Sequence, residues 1–305
     1  MLVASGSSPL DRSALDSSPL ERPSLDRSPL ERSSLFSLQG KVALLTGASG
    51  FLGRTFADTL LVNGADLVAV GRPAKLGKQE KVWAEKYGPG RVHCYYVDMY
   101  DMEALTKTLD EIAQRHAVDV LINNAHELTP SSGFNTPAGS LEQGTMDVWM
   151  RHLTAGFCWP ALTVQKIGAG MKDRGRGSII NISTMYAMVA PRPALYAGTT
   201  FLNPPAYSAS KAALIAFTRY VASFWGTYGI RANAILPGPF SNTEDAGPNS
   251  VQVGDPFIEK LKANTCLGRI GRAGELAGAL LFLASDASSY VTGQGIVVDG
   301  GWTAV

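Results

Sequence analysis

The chain has 305 residues, of which 45% are hydrophobic and 17% are charged, the composition of an ordinary globular protein. Its formal net charge of +1 provides no overall basic field that would attract nucleic acid. No apolar run approaches the roughly 18 residues that span a bilayer and no secretory signal is visible, so we expect a cytoplasmic protein without a membrane partner.

The three cysteines, Cys94, Cys158 and Cys266, lie far apart in the sequence and none has a histidine at ligand spacing. A disulfide framework and a structural metal site both need closer or paired ligands. We therefore expect no metal, and three buried or partly buried thiols in a reducing compartment.

The first 36 residues repeat a Ser-Pro-Leu-Glu/Asp-Arg unit, with a leucine at every fifth position from Leu10 to Leu35. A period of five matches neither a helix face nor a strand face, and the prolines interrupt any helix. Such composition is typical of a disordered tail. We predict a tail over 1–36 and one folded domain over 37–305, and a scaffold role of the tail stays open as an alternative.

Short apolar runs alternate with helical stretches through the rest of the chain. We predict strands at Val42–Leu45, Leu67–Val70, Cys94–Val97, Val118–Ile122, Ser178–Ile182, Ala232–Leu236 and Ile296–Val298. Continuous apolar strands are typical of parallel sheets that are covered on both faces. The alternation predicts an α/β fold, a doubly wound parallel sheet of seven strands of the Rossmann type, with its binding crevice at the carboxyl ends of the strands.

The first predicted strand runs directly into a glycine-rich turn, Thr46–Gly53, with the spacing G-x-x-G-x-x-G. Glycines let the backbone turn sharply and approach a pyrophosphate, and the helix that follows offers free N–H groups. We therefore predict a dinucleotide site to which this turn contributes Gly47, Ser49, Gly50, Phe51, Leu52 and Gly53.

The second predicted strand ends at Gly71, and Arg72 follows it where an acidic residue would favour NAD. A guanidinium group binds a phosphate in bidentate geometry, and Lys75 lies just beyond. We therefore expect NADP(H) to be preferred, with NAD as a possible cofactor. The alternative is that Arg72 is only a solvated loop residue.

Several separated motifs together resemble the short-chain dehydrogenase/reductase family over nearly the whole stretch from Leu38 to Val305. In chain order they are Thr46–Gly53, Val97-Asp98, Asn123-Asn124-Ala125, Tyr207-Ser208-Ala209-Ser210-Lys211, Pro237-Gly238, Thr292-Gly293-Gln294 and Val298-Asp299-Gly300-Gly301. The resemblance implies an NAD(P)-dependent oxidoreductase that interconverts a carbonyl and an alcohol by hydride transfer. It also implies a homodimer or homotetramer.

The resemblance assigns further cofactor contacts to residues that follow the predicted strands, namely Asp98, Met99, Asn124, Ala125, Pro237 and Gly238. It implies that the Asp98 carboxylate binds the adenine amino group. From the residues alone, Asp98 is also a candidate cap for a helix that begins near Met102. Likewise, Asn123 and Asn124 are candidates for satisfying backbone groups at a strand end.

Tyr207 and Lys211 are four residues apart at the start of a strong helical pattern, Ala209–Trp225, so they share one helix face. A neighbouring ammonium favours the phenolate and lowers the pKa of a phenol from its usual value of about 10. The resemblance implies that Tyr207 exchanges a proton with the substrate oxygen and that Lys211 binds the nicotinamide ribose. Tyr196 is a poorer candidate, because Thr200 stands where its lysine would be.

The family's third catalytic position is a serine just past the fifth strand, and the resemblance places Thr184 there, with Ser183 as the alternative if the register slips by one. Where the family often has an asparagine that holds a relay water, this chain has His152. A relay role and a packed or solvent-facing histidine both stay open. His126 stands where the family prefers glycine, so it is either strained by a positive φ or faces the active-site cleft.

Two variable stretches are candidates for the substrate pocket. The segment Tyr186–Pro205 is long and proline-rich, and the region Phe240–Thr265 contains breakers typical of a lid. These features look like family members of polysaccharide or flagellin-sugar pathways, some of them gluconate dehydrogenase-like, which implies a polyol- or sugar-like substrate. The alternatives are a 3-oxoacyl reductase-like enzyme and a nucleotide-sensing protein that has lost catalysis.

Overall fold

The computed structural model describes residues 35–199, 201–242 and 255–305. The predicted tail lies outside these residues except for its last two positions, and residues 243–254 of the predicted lid also lie outside them. The described residues between Leu35 and Val305 belong to one compact unit. No helix among the described residues is long and apolar enough to cross a membrane.

All of the predicted strands form. Their bounds are β1 Val42–Thr46, β2 Asp66–Gly71, β3 Val92–Tyr96, β4 Val120–Asn123, β5 Gly177–Ile182, β6 Ile230–Pro237 and β7 Gly295–Val298. Every neighbouring pair is parallel, and the strand order is β3-β2-β1-β4-β5-β6-β7. The prediction of a doubly wound, seven-stranded parallel sheet of the Rossmann type is confirmed. Because the order reverses between β1 and β4, a crevice for a ligand opens there.

Helices connect the strands. Their bounds are α1 Phe51–Val62, α2 Pro73–Tyr87, α3 Met102–Arg115, α4 Met146–Leu153, α5 Trp159–Asp173, α6 Pro193–Tyr196, α7 Pro205–Trp225, α8 Pro256–Ala263 and α9 Ala277–Ala284. Between α4 and α5 the chain continues through a π-helical turn, Thr154–Cys158. The segment from 146 to 173 is therefore one long helical stretch with a single irregular turn inside it.

The sheet is buried on both faces, which explains its continuous apolar strands. The neighbouring residues Leu44 and Leu45 of β1 point to opposite faces and belong to two separate apolar clusters. Leu45 packs in the cluster with Phe56 of α1, and Leu44 packs in the cluster with Leu105 of α3. Burial of each such side chain contributes roughly 2 kcal/mol to the stability of the fold. Because the strands are held in place by this packing, the positions of their carboxyl ends are fixed as well.

The helix that carries the predicted acid/base group begins earlier than the sequence pattern indicated. It starts at Pro205, with Pro204 as its N-cap residue, rather than at Ala209. Proline is well tolerated at the first helical position, because its missing N–H would be unbonded there and its φ already suits a helix. Tyr207 therefore lies in the first turn of α7 and Lys211 one turn later.

The cysteines are free thiols, and Cys94 and Cys158 are half-buried. The expectation of a partly buried thiol is wrong for Cys266, which is exposed. Its thiol donates a hydrogen bond to the backbone carbonyl of Gly301 at 3.2 Å. Among the residues that the structure describes, no three His, Cys, Asp or Glu side chains are grouped so that they could hold a metal ion.

Candidate active site

The glycine-rich turn joins β1 to α1 at the point where the strand order reverses. Gly47 has a φ of +65°, and a Cβ at this position would lie 2.8 Å from the Ala125 Cα. A Cβ at Gly53 would lie 2.2 Å from the Gly47 carbonyl oxygen. Both positions require glycine, the first for its left-handed backbone and the second for close packing. Gly50, between them, is exposed, so the outer face of the turn is open to a ligand.

The turn is held against the end of β4 by hydrogen bonds. The Thr46 hydroxyl oxygen accepts from the backbone N–H groups of Asn124 and Ala125, both at 3.1 Å. The Asn124 side-chain amide donates to the carbonyls of Thr46 and Gly47, both at 3.1 Å. Asn124 therefore satisfies backbone groups, as the sequence allowed, and in doing so it braces the glycine turn.

Asn123 has a different role, inside the protein. Its amide donates to the Asn181 side chain at 2.8 Å, and Asn181 donates to the Thr218 hydroxyl at 2.9 Å. The Thr163 hydroxyl donates to the side-chain amide oxygen of Asn123 at 2.5 Å. This buried series of hydrogen bonds links β4 and β5 to α5 and α7, and each of its side chains has a partner.

The predicted adenine and ribose ligands lie at the carboxyl ends of β2 and β3. Arg72 is exposed at the N-terminus of α2, and its guanidinium forms no hydrogen bond or ion pair with another described residue. Asp98 is also exposed, and its carboxylate accepts from the Tyr100 backbone N–H at 3.1 Å. The alternative that Asp98 caps α3 is wrong, because Asp101 accepts from the Ala104 N–H at 2.9 Å. The Met99 side chain packs in the core.

Pro237 ends β6 on the same edge of the sheet, and Gly238 follows it. The Gly238 N–H donates to the Val298 carbonyl of β7 at 2.9 Å. A Cβ at Gly238 would lie 2.4 Å from the Asp299 Cα, so only glycine allows this approach. The predicted cofactor contacts Pro237 and Gly238 therefore lie where the loops after β6 and β7 meet.

The predicted carbonyl-polarising residue and the predicted acid/base residue meet just beyond β5. Burial raises the pKa of Tyr207 to about 12, and a hydrogen bond with the Thr184 side chain opposes this rise. Ser183, the alternative to Thr184, points elsewhere, because its hydroxyl donates to the Lys211 backbone carbonyl at 2.9 Å. The geometry thus brings Thr184, and not Ser183, to Tyr207.

Lys211 is 3% exposed, and its ammonium donates to the Ile182 carbonyl at 2.8 Å. Burial lowers the pKa of Lys211 to about 7. We expected the ammonium to lower the pKa of Tyr207, and this expectation is wrong, since the pKa of the phenol is raised. The reason is that both groups are buried, and desolvation opposes the charged form of each.

The two histidines that depart from the family pattern form a pair beside Tyr207. His126 Nε2 lies 3.2 Å from His152 Nδ1, and the two rings stack with centroids 5.4 Å apart. The Tyr207 ring meets both edge-on, with centroids 5.0 Å from His126 and 6.1 Å from His152. His152 is 1% exposed, so the solvent-facing alternative is wrong. His126 has no positive φ, so the strained alternative is also wrong, and it lies in the cleft beside Tyr207.

The pair depends on the π-helical turn, which the sequence analysis did not anticipate. A Cβ at Gly156 in this turn would lie 2.3 Å from the Ser210 hydroxyl oxygen of α7 and 3.3 Å from His126 Cε1. Glycine therefore lets the helical stretch approach α7 and His126. Single π turns are frequent at functional sites, and a glycine inside a helical pattern was the available signal.

The proline-rich segment and the lid helix form one wall of the site. The Tyr196 hydroxyl donates to the Tyr186 hydroxyl at 3.2 Å. Phe257 of α8 stacks on Phe201 with ring centroids 4.3 Å apart and contacts Tyr196 at 5.7 Å. Lys260 of α8 donates to backbone carbonyls at the end of α6. The described part of the predicted lid is therefore packed against the predicted insertion.

Comparison with known proteins extends over almost the whole described chain. A family model described as enoyl-(acyl carrier protein) reductase matches residues 47–303. The 2-dehydro-3-deoxy-D-gluconate 5-dehydrogenase of Bacillus subtilis is 30% identical over 268 residues, covering 88% of this chain and 96% of that protein. The gluconate 5-dehydrogenase of Gluconobacter oxydans is 33% identical over 270 residues, covering 88% and 97%.

Solved structures are similar to the same extent. The crystal structure of a gluconate 5-dehydrogenase from Burkholderia cenocepacia, in complex with NADP and tartrate, is 29% identical and covers 89% of this chain and 98% of its own, with a TM-score of 0.74.

Proposed function

Because the chain belongs to the short-chain dehydrogenase/reductase family and is an NAD(P)-dependent oxidoreductase acting on alcohol groups, we propose that it is an NADP(H)-preferring enzyme for a polyol- or sugar-like substrate. The observation that carries this proposal is the meeting of the Thr184 and Tyr207 side chains, with Lys211 one helical turn away. Two neighbouring hydroxyl groups suit a carbonyl oxygen that must be polarised and protonated.

The three side chains have distinct roles in this proposal. Thr184 donates a hydrogen bond to the substrate oxygen, and Tyr207 gives that oxygen a proton in reduction or takes one in oxidation. Lys211, with a pKa lowered to about 7, exchanges its proton readily near neutral pH. His152 belongs to the same group through its contact with Tyr207. A nicotinamide cofactor, when bound, supplies or accepts the hydride.

The residues at the crevice fit a dinucleotide. The glycine turn has an open outer face followed by the N-terminus of α1, which suits a pyrophosphate. Arg72 is exposed and unpaired among the described residues, which suits a 2′-phosphate. The remaining proposed contacts surround the same edge of the sheet and are Asp98, Met99, Asn124, Ala125, Pro237 and Gly238.

A polar substrate is supported by the wall that the insertion builds. The hydroxyl groups of Tyr186 and Tyr196 lie near Tyr207 and are hydrogen-bonded to each other. The Tyr186 phenol raises the pKa of Tyr207, and the Tyr207 phenol raises the pKa of Tyr196. The relatives named above act on gluconate or a deoxygluconate according to their names. A 3-oxoacyl reductase-like enzyme, the alternative, would need an apolar lining around residues 240 to 265. We also propose a homo-oligomer, because Tyr220 and Phe224 stack while remaining exposed on α7.

Cofactor binding tests the proposal directly. We would titrate the protein with NADPH and NADH by fluorescence, for the wild type, Arg72→Ala and the control Lys78→Ala, whose side chain is also exposed on α2. Loss of a charged hydrogen bond costs about 1.5–3 kcal/mol, so NADPH binding should weaken roughly 10- to 100-fold in Arg72→Ala alone. Equal affinity for both cofactors, unchanged by the substitution, would refute the NADP preference.

Turnover then separates the enzyme from a nucleotide sensor. We would screen the NADPH-loaded protein against keto-sugars and keto-acids of sugars and against an acetoacetyl thioester. Reduction of the polyhydroxy ketones supports the proposal, and reduction of the thioester alone supports the 3-oxoacyl alternative. Tight NADPH binding without turnover of any carbonyl would favour the sensor.

A further inference from the structure

Strand β3 is an edge strand, because it pairs with β2 on one side and with no other described strand on the opposite side. The Val97 N–H donates to the Gly71 carbonyl at the end of β2 at 3.0 Å, which shows to which side each backbone group of β3 points. Successive residues of a strand direct their N–H and C=O groups to alternate sides. Three residues of β3 therefore direct these groups away from β2, and no hydrogen bond joins them to another described residue. They are Val92, Cys94 and Tyr96.

The sequence of this edge does not oppose pairing with a further strand. It reads Val-His-Cys-Tyr-Tyr, without the lysine or proline that protects many exposed edges. Its β-branched and aromatic residues favour extended structure. The outward N–H and C=O groups are therefore a template to which an extended peptide can add by backbone hydrogen bonding.

A cavity of about 500 Å³ lies against this edge. Its lining consists of Val92–Tyr96 of β3, Glu80 of α2, and Thr108, Glu111 and Arg115 of α3. The two helices lie on opposite faces of β3, since Tyr96 contacts Glu80 of α2 whereas Tyr95 packs against the apolar cluster that contains Leu105 of α3. The cavity is therefore a cleft between two helices with the strand edge between them, and its size suits a ligand of a few residues.

The α3 side of this cleft is polar and held in place. The Tyr95 hydroxyl lies 2.9 Å from His116 Nε2, and the rings of His93 and His116 have centroids 4.9 Å apart. The Arg115 guanidinium lies 3.2 Å from the Glu111 carboxylate, so the two charges offset each other. This side of the cleft therefore favours neither a cationic nor an anionic side chain.

The α2 side differs, because it carries a negative charge without a cation. The Glu80 carboxylate accepts a hydrogen bond from the Tyr96 hydroxyl. No ion pair joins Glu80 to a lysine or arginine in the part of the chain that the structure describes. Burial and this carboxylate together raise the pKa of the Cys94 thiol to about 12, so the carboxylate lies close to the middle of the strand. A lysine or arginine on the α2-facing side of an added strand complements this charge.

We infer that the outer edge of β3 is a docking site for an extended, basic peptide segment of a partner protein, which adds an eighth strand to the seven-stranded sheet. A second copy of this edge fits less well, because it would bring its own flanking helices to a cleft that two helices already line. None of the lining residues belongs to the proposed cofactor or catalytic residues. The inference is therefore independent of the proposed function.

A synthetic peptide tests both the charge and the backbone pairing on the full chain. We would measure binding of fluorescein-labelled Lys-Thr-Lys-Val-Lys-Thr by fluorescence anisotropy, with a peptide that has glutamate in place of each lysine as its control. The lysine peptide should bind more tightly, and Glu80→Gln should weaken its binding about twofold to fivefold, as loss of a partly exposed ion pair does. Equal binding of the two peptides would overturn the inference.

Methylation of the peptide nitrogens tests strand addition without altering the protein. Alternate residues of an added strand point their N–H groups to β3 or to solvent. Methylating one alternate set should therefore weaken binding at least about 10-fold, through loss of several hydrogen bonds, and methylating the other set should not. If both methylated peptides bind like the parent peptide, the peptide does not add as a strand and the inference is wrong.

Amide hydrogen exchange, resolved by NMR, locates the peptide. In the free protein the Cys94 and Tyr96 amides should exchange quickly, and the His93 and Tyr95 amides, which face β2, slowly. The lysine peptide should slow exchange at Cys94 and Tyr96 at least about 10-fold. Binding that leaves these two amides unchanged would overturn the inference. Protection of both amides in the free protein that increases with protein concentration would also overturn it, because a second copy would then occupy the edge.

A proline in the strand provides the matching protein variant. Cys94→Pro removes an outward N–H that β2 does not use, and edge strands accept proline at such positions. It should abolish peptide binding, whereas Cys94→Ala should bind like the wild type. Far-UV circular dichroism would show that both variants are folded. A folded Cys94→Pro variant with unchanged peptide affinity would overturn the inference, and the methylated peptides decide the question if this variant does not fold.

Discussion

The two sides of the crevice are built in different ways. On the side of β1 and β2, the glycine turn is shaped by backbone atoms, since Gly47 and Gly53 leave no room for a Cβ and Asn124 bonds to main-chain carbonyls. On the side of β4 and β5, side chains from distant segments contact one another, as Tyr207 does with Thr184 and the histidine pair. Backbone atoms therefore determine the shape of the glycine-turn side, and contacts between side chains determine the arrangement of the Tyr207 side.

This difference predicts how each side tolerates substitution. A backbone-shaped site fails through strain, so its variants should lose stability and cofactor affinity together. A site of buried polar side chains fails through chemistry, so its variants should remain folded and lose turnover. The following experiments are ordered by the size of the expected effect.

The largest effect should come from Tyr207→Phe. Of the three tyrosines Tyr186, Tyr196 and Tyr207, only Tyr207 is placed to exchange a proton with the substrate oxygen in the proposed function. We expect kcat to fall by about 10²- to 10⁴-fold with NADPH binding retained. Tyr196→Phe, the matched control, should cost less than about 10-fold, since its hydroxyl bonds only to Tyr186 among described groups. A larger loss of kcat in Tyr196→Phe than in Tyr207→Phe, measured by steady-state kinetics, would contradict this assignment.

The next effect should distinguish two neighbouring hydroxyls. Thr184→Val removes the donor beside Tyr207 and should lower kcat by about 10²-fold, as the loss of a transition-state hydrogen bond does. Ser183→Ala removes a buried bond to the Lys211 carbonyl and should lower the free energy of unfolding by about 1–2 kcal/mol while sparing kcat. Parallel urea unfolding and kinetics would refute the assignment if Ser183→Ala were the inactive variant.

A smaller effect is expected at the glycine turn. Gly53→Ala places a Cβ 2.2 Å from the Gly47 carbonyl, so we expect a loss of about 1–3 kcal/mol in stability and weaker NADPH binding. Gly278→Ala in α9, where a Cβ meets nothing within 4 Å, should be neutral or stabilising by up to about 1 kcal/mol. Equal melting temperatures for the two variants would show that the turn is not shaped by packing.

The smallest effect concerns pH. The pKa of Lys211 is lowered from 10.5 in the unfolded chain to about 7 in the folded protein, so the unfolded state binds more protons between these values. Stability should therefore rise with pH in this window, with a slope of up to about 1 kcal/mol per pH unit from this group. Lys211→Met should lack that contribution. Urea unfolding at pH 7, 8 and 9 would contradict the burial of a chargeable lysine if the two proteins showed the same slope.

The sequence predicted the backbone-shaped side well, because its determinants are local. The seven strands and the glycine turn follow from apolar runs and from glycine spacing within a few residues. The start of α7 was placed late, since Pro205 reads as a breaker although it suits a first helical position.

The side-chain-built site could be predicted only in part. Tyr207 and Lys211 share one helix, so their pairing was visible, but the shift in the Tyr207 pKa depends on burial that no local pattern reveals. His126 and His152 are 26 residues apart, and nothing in their spacing indicates that their rings meet. Contacts of this kind arise from how elements pack, which the sequence encodes only through the whole fold.

The π-helical turn at Thr154–Cys158 amounts to one residue inserted into a regular helix. Removing a single residue there would restore the usual hydrogen bonding but rotate α4 against α5 by about 100°. His152 would then swing away from His126, or the face of α5 that packs on the sheet would turn outward. The helical stretch from 146 to 173 therefore has a fixed length for a reason of register, and insertions or deletions should be far less acceptable in it than substitutions.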